Sequence, residues 1–499
     1  FFFKQKTAYE IVDCDWSSDV CSSDLPILQD VKVMKKVFIA ISASLFLLTF
    51  LSTPSNAAPN TVEVSIEIVD PFTPIAGETI RFAGTLRNKT SASLSNLSLQ
   101  LLLSDPITSR STLNQIFTQS NPAELIPRGQ IYQTGNLTPG GLGSFSIGIN
   151  SAQLFSKGPG AYLIGFQVLN NSEVIGSSFT VVPYLPDRTS VKPIGMTIFW
   201  PVSAPPLRDG NGVLLDETIP NSMTGNGRLR NILNAGRSNS VTWLLDPNLL
   251  DLAEKASKGY LVKGAKENIN GVFQNEVSTW FNELRTAVAS SERFSLTYAN
   301  ADLAAMNRNK ATSAFEQTIT IARVLTENKL GFTTGGTVLL QDKFPVNKDV
   351  IGKANSFGTN VVVLPDTALP PVAGTNYTPS GTTTVVTPNG RVKVFLTDSL
   401  LSNLALNTVE NASQTSLQRQ RILSDTLLIA LQLPNSERNI FVSPPTYWEP
   451  SNEGAFVFAE GLIRAPWVIR NEAWQVLLKD VSTVQRDDFL DTEIGRAHV

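Results

Sequence analysis

Between residues 196 and 445, short runs of apolar, often β-branched residues recur, each ending in Asp or Pro and most followed by a stretch of helical periodicity. The runs are MTIFWPV (196–202), SVTWLLDP (240–247), FSLTYANAD (294–302), GTVLLQD (336–342), NVVVLPD (360–366), RVKVFLTD (391–398) and NIFVSPP (439–445), with APWVIR (465–470) as a candidate eighth. Helices are expected between them at 228–235, 248–257, 275–289, 312–328, 414–432 and 471–479. Near-continuous apolar strands alternating with helices predict a parallel sheet covered on both faces. Seven or eight units fit a (β/α) barrel, irregular in detail, better than a six-stranded open sheet, and a doubly wound sheet stays as the alternative. The Gly/Thr/Pro-rich stretch 370–388 breaks the alternation and reads as a hairpin insertion.

The preceding segment, 60–186, has a period of two instead: Val62/Val64/Ile66/Ile68, Ile80/Phe82 with Leu86, Leu97/Leu99/Leu101/Leu103, Phe145/Ile147/Ile149 and Tyr162/Ile164/Phe166/Val168. Strict alternation turns one apolar face inward, and turn clusters such as Ala76-Gly77-Glu78 and Gly158-Pro159-Gly160 separate the runs. The pattern predicts an antiparallel sandwich resembling bacterial immunoglobulin-like domains, with the role of a spacer. A Pro-rich hinge at 183–193 leads into the α/β domain, expected over 190–480.

The two ends read differently. Back-translation of Asp19–Leu25 gives a string whose reverse complement encodes Glu493–Val499, so 1–25 and 493–499 are read as translated sequencing adapter and set aside from fold reasoning. Cys14, Cys21 and His498 fall inside these stretches, and without them residues 26–492 are formally neutral and free of Cys and His. Thiol chemistry, disulfides, imidazole bases and Cys/His metal sites are thereby excluded, and no cofactor or metal is expected. A neutral chain also lacks the basic face that nucleic acid requires. Lys35-Lys36, the apolar run Val37–Leu51 and Ser55-Asn56-Ala57 predict a signal peptide over 34–57 and hence export. The native chain is expected to continue beyond residue 492.

The order WPV (200–202), GRLRNIL (227–233), VTWLLDPNLLD (241–251), LTYANADLAAM (296–306), VFLTDSLLSNL (394–404), RQRILSDTLLIALQLP and FVSPPTYWEPS resembles an uncharacterised family of actinobacterial exported envelope proteins. Their genes lie near the flippase of the lipid-linked peptidoglycan precursor. The resemblance implies cell-envelope localisation and a C-terminal membrane anchor beyond residue 492, and it brings no catalytic residues. Thr297 and Ala301 stand where the family pattern leads one to expect Pro.

Asp246, Asp302, Asp342, Asp366 and Asp398 end predicted strands, the face on which barrel enzymes build their sites. Asp246, Asp302, Asp366 and Asp398 are therefore the catalytic candidates for a carboxylate-only glycosidase, with Trp200, Trp243, Tyr298 and Trp448 as rings on which a sugar could stack. The competing explanation is helix capping, since Asp before a helix accepts backbone N–H bonds, and Asp246-Pro247 has Pro where the first helical position belongs. Three functions follow: a non-enzymatic module binding envelope glycan or a protein partner during wall assembly, a hydrolase of wall polysaccharide, or, if no cleft exists, a purely structural spacer.

Overall fold

The computed structural model describes residues 61–118, 124–342, 346–479, 482 and 484–489. The expected adapter stretches and signal peptide lie outside these residues. The antiparallel part comprises β1 (Val62–Asp70), β2 (Thr79–Asn88), β3 (Leu94–Leu103), α1 (Arg110–Thr118), β4 (Ile126–Leu137), β5 (Leu142–Asn150), α2 (Ser151–Leu154), β6 (Gly160–Asn170) and β7 (Glu173–Tyr184). One sheet has the order β1-β2-β5 and the other β4-β3-β6-β7, and every pairing is antiparallel. Alternate residues from both sheets meet in one core, with Phe166 touching Phe82 and Phe145 at ring-centroid distances of 5.6 and 5.3 Å.

In β1 the expected alternation fails at Ile68. The register against β2 shifts between Ile66 and Ile68, so Val69 enters the core and Ile68 is left 38% exposed. An irregularity of one residue reverses which side chains face inward for the rest of the strand.

The second part begins with β8 (Ile194–Val202), α3 (Thr218–Ser222), α4 (Arg228–Ser238), β9 (Thr242–Leu245), α5 (Pro247–Ala256), the short pair β10 (Leu261–Val262) and β11 (Ile269–Asn270), and α6 (Gln274–Ala289). It continues through β12 (Arg293–Leu296), α7 (Leu303–Arg308), α8 (Thr312–Leu330), β13 (Thr337–Leu340), α9 (Lys348–Ser356), β14 (Thr359–Pro365), β15 (Thr382–Thr387) and β16 (Gly390–Thr397). It ends with α10 (Ser399–Asn403), α11 (Ala412–Gln432), β17 (Asn439–Val442), α12 (Asn452–Ile463), β18 (Val468–Arg470) and α13 (Ala473–Leu478). Strands β8, β9, β12, β13, β14, β16 and β17 pair in that order, all parallel, and β17 returns to β8. This closed seven-stranded parallel barrel excludes the doubly wound sheet, and its staves are the seven apolar runs of the sequence.

The candidate eighth run forms β18, which pairs with Ile194–Met196 of β8, whereas β9 pairs with Phe199–Val202. It therefore wedges in at the N-terminal end of β8 and is not a stave. The insertion forms β15, antiparallel to β16, with Thr387 opposite Gly390 across a tight turn.

Inside the barrel, Phe199, Phe395 and Phe441 pack together with ring centroids 4.5–5.9 Å apart. Ala473 and Val476 of α13 join that interior cluster. Facing the helical layer, Trp200 and Trp243 are buried against α4. Gly236 makes this possible, because a Cβ there would lie 2.4 Å from Trp243 Cη2 and 2.8 Å from Trp200 Nε1. Overpacking costs about 1–3 kcal/mol, against a helix-propensity gain near 1 kcal/mol. Gly236→Ala is thus expected to lower stability by about 1–2 kcal/mol, read as a shift in the chemical denaturation midpoint. An unchanged midpoint would mean that the indoles move aside freely.

Candidate functional site

The C-terminal ends of the barrel strands carry the candidate aspartates, and the turn from strand to helix decides what each does. At β9 the chain enters α5 through Asp246, fully buried, whose Oδ1 accepts the N–H groups of Asn248 at 2.9 Å and Ala299 at 3.1 Å. Its Oδ2 accepts the Ser203 hydroxyl at 2.8 Å. Burial pushes its carboxyl up to about 6, although these hydrogen bonds pull the other way. Ala299 reaches Asp246 from a left-handed φ of 55°, a conformation costing a residue with a Cβ roughly 1–2 kcal/mol. Asp302 caps α7 by accepting Ala305 N–H at 2.8 Å, and Asp342 accepts Thr446 N–H at 2.5 Å.

Asp366 and Asp398 are brought together. Asp366 accepts both the backbone N–H, at 3.3 Å, and the hydroxyl of Ser399, the residue that follows Asp398. Asp398 caps α10 through Leu401 N–H at 2.9 Å and takes a two-pronged ion pair from Arg110, at 2.7 and 2.8 Å. Arg110 Nε also donates to Asp425 of α11. Burial works against ionisation of Asp398, but the adjacent Arg110 charge and its hydrogen bonds outweigh it and hold the carboxyl below its ordinary range. Burial, then the negative charge of Asp398, pushes Asp366 upward. Arg110, Asp366 and Asp398, together with Tyr377, Phe441 and Arg486, line a space of about 150 Å³.

Arg110, Asp425 and Arg208 were not singled out from sequence. Arg208 binds Asp251 at 2.9 Å, Asn248 at 2.8 Å and the Tyr298 hydroxyl at 2.9 Å, so Tyr298 serves the polar lattice above β9 and β12. Beside it, Asn248 Nδ2, Thr297 Oγ1, Asn300 Oδ1 and Gln341 Oε1 are buried without a protein partner among the described residues.

The aromatic candidates divide. Trp200 is fully buried and donates to Ile232 O at 3.0 Å, and Trp243 is 1% exposed, so both belong to the helix–barrel packing and present no free face. Trp448 also packs edge-on to Trp200, at 5.4 Å, and donates to Ala405 O at 2.7 Å. It additionally lines a depression of about 430 Å³ with Tyr447, Glu449, Glu410 and Asn407. Arg228 fixes this loop by donating to Trp448 O at 2.6 Å and Ser203 O at 2.9 Å. Among the described residues no cluster of three or more Asp, Glu, His or Cys is arranged to hold a metal.

No curated protein matches the chain. Among solved structures, 4-alpha-glucanotransferase from Thermococcus litoralis aligns at 13% identity over 59% of this chain and 42% of its own, with a TM-score of 0.39. The CARDB domain of a Pyrococcus furiosus protein aligns at 13% identity over 26% of this chain and 98% of its own, with a TM-score of 0.17. The alkylpurine DNA glycosylase AlkC of Pseudomonas fluorescens, at 15% identity and a TM-score of 0.17, is matched over 26% of this chain and only 31% of its own length. The profile of a family of unknown function, DUF6049, matches residues 32–472, and the chain belongs to that family.

Proposed function

We propose that the protein is an exported cell-envelope module that binds wall glycan, or a protein partner at the wall, during cell-wall assembly, and does not cleave it. The observation that carries this reading is how the strand-end carboxylates are used. Asp246, Asp302 and Asp398 each cap the helix that follows, and Asp398 is further clamped by Arg110. A glycosidase needs two carboxyl groups facing one sugar. Asp366 and Asp398 share only about 150 Å³, whereas small-molecule sites usually occupy roughly 300–1,000 Å³. The depression beside Trp448, about 430 Å³, falls within that range and has an aromatic wall flanked by polar groups.

The antiparallel part we read as an immunoglobulin-like spacer. Strands 1, 2 and 5 opposite 3, 6 and 7 follow the immunoglobulin division, with β4 added to the second sheet instead of the first. Export, an anchor beyond residue 492 and an actinobacterial setting near the precursor flippase belong to the same proposal. Among the described residues no helix is long and apolar enough to cross a membrane.

The hydrolase alternative draws on one observation: Asp366 and Asp398 are driven in opposite directions, the pattern of an acid paired with a carboxylate. Cosedimentation of the full chain with purified envelope polysaccharide tests the binding proposal. Retention is expected, persisting in Asp366→Asn and Asp398→Asn. Absence of retention by the folded protein would overturn the glycan-binding reading.

A further inference from the structure

A groove of about 470 Å³ runs between α1, α10 and α11. Its walls carry the carboxamides of Asn114, Asn403, Asn407, Gln414 and Gln418, and its lining includes no Asp, Glu or Lys. The single charged side chain in the lining is Arg421, which is only 4% exposed. Arg421 donates to Leu113 O at 3.0 Å and to Asn114 Oδ1 at 3.2 Å, and its guanidinium lies 4.1 Å from the Phe117 ring centre. Its Nε has no hydrogen-bond partner among the described residues. Asp425, one helical turn further along α11, contributes negative charge, but its carboxylate is engaged by Arg110 Nε. Among the described residues Arg421 is therefore a buried cation without an ion pair of its own, and burial outweighs the nearby Asp425 charge and pulls its guanidinium down to about 10. Its nearest counter-charge, Asp425, is shared with Arg110 and offsets the burial only in part, so a group that brings a further negative charge to it gains more than it would in water.

The carboxamides are only partly used within the protein. Asn407 Nδ2 donates to Gln418 Oε1 at 2.8 Å, Gln418 Nε2 to Leu404 O at 2.6 Å, and Gln414 Oε1 accepts Glu410 N–H at 2.7 Å. Among the described residues this leaves the amide N–H groups of Asn114 and Gln414, the Asn407 carbonyl and both ends of Asn403 open to a ligand. Neutral donors and acceptors in alternation match vicinal hydroxyls, each of which both donates and accepts. Asn407 and Thr408 also line the Trp448 depression, so the two hollows adjoin the same short segment.

We infer that this groove binds an acidic saccharide, a chain of carboxylated sugars whose carboxylate meets Arg421 and whose hydroxyls meet the surrounding carboxamides. This rests on the glycan-binding proposal above and names its ligand class.

Calorimetry of the full chain with a short β-1,4-linked oligoglucuronate, against a cello-oligosaccharide of the same length, tests it. The two probes differ only in carboxylate against hydroxymethyl. The glucuronate is expected to bind at least tenfold more tightly, and Arg421→Gln to abolish that preference. Because Arg421 is buried, two further wall variants, Asn403→Asp and Gln414→Glu, provide a check: Asn403 is exposed, and Glu at 414 keeps the oxygen that accepts Glu410 N–H. Each should weaken the glucuronate several-fold and the neutral oligosaccharide much less. Equal affinity for the two probes, no binding of either, or an unchanged preference in both acidic variants would overturn the inference. Release of new reducing ends in the same mixtures would sink the non-catalytic proposal instead, while the glucuronate preference would still be read independently from the heats.

Discussion

Replacing Arg110 by Met is expected to destabilise the fold by about 3–5 kcal/mol, as removal of one partner from a buried ion network does. Arg110 is 7% exposed and is the first residue of α1, which belongs to the antiparallel part, yet its guanidinium sits between Asp398 at the mouth of the barrel and Asp425 on α11. Without it two buried carboxylates face each other with no cation between them. The net worth of the intact network against an apolar substitute is a different quantity, so the loss reflects stranded charge. Acid dependence gives a second signature. A carboxyl held below its ordinary range, like Asp398, contributes stability that is present above the ordinary carboxylate range and lost as pH falls through the lowered value. That contribution should be missing from Arg110→Met. Chemical denaturation at neutral and acid pH measures both effects, and a loss under about 1 kcal/mol would mean that the carboxylates find other compensation.

Asp246→Asn is expected to act in the opposite sense. A carboxyl ordinarily at 3.8 and raised to about 6 by burial binds its proton more tightly in the folded chain than in the unfolded one. Stability therefore falls as pH rises between those two values, and the full penalty is present above the upper one. Two units correspond to on the order of 2–3 kcal/mol. Asn carries no charge to desolvate and still offers an oxygen to the N–H groups of Asn248 and Ala299, while its amide can donate to the Ser203 hydroxyl. The variant should therefore be more stable than the parent near pH 7, by up to that amount, and little different near pH 4. A variant less stable at both values would show that the carboxylate geometry, and not its charge, holds the strained turn at Ala299.

What the sequence made legible follows from the range over which each feature is encoded. The staves of a closed parallel barrel are apolar on both faces, so the seven runs stood out, and the Asp-Pro step into α5 marked a cap without reference to anything distant. The register shift that exposes Ile68 leaves no mark in the alternation of β1 itself, because it depends on pairing with β2. Their place near strand ends makes Trp200 and Trp243 look ligand-facing from the sequence. In a filled barrel, however, alternate residues face either the lumen or the helices, and both sides are buried. Trp448 lies beyond the end of β17 and does reach a depression, although it too packs on Trp200. Arg110 was invisible because its partners are 288 and 315 residues away. Nothing local distinguishes it from a surface arginine opening a short amphipathic helix.

If the strand-end carboxylates build the barrel and do not cleave glycan, the chain should hold envelope polysaccharide without degrading it. Prolonged incubation of the full chain with purified envelope polysaccharide, with reducing ends counted over time, tests it most directly. Retention on the polysaccharide is expected, with no reducing ends above the protein-free control. Reducing ends that accumulate with the parent chain and vanish in a folded Asp366→Asn variant would contradict it.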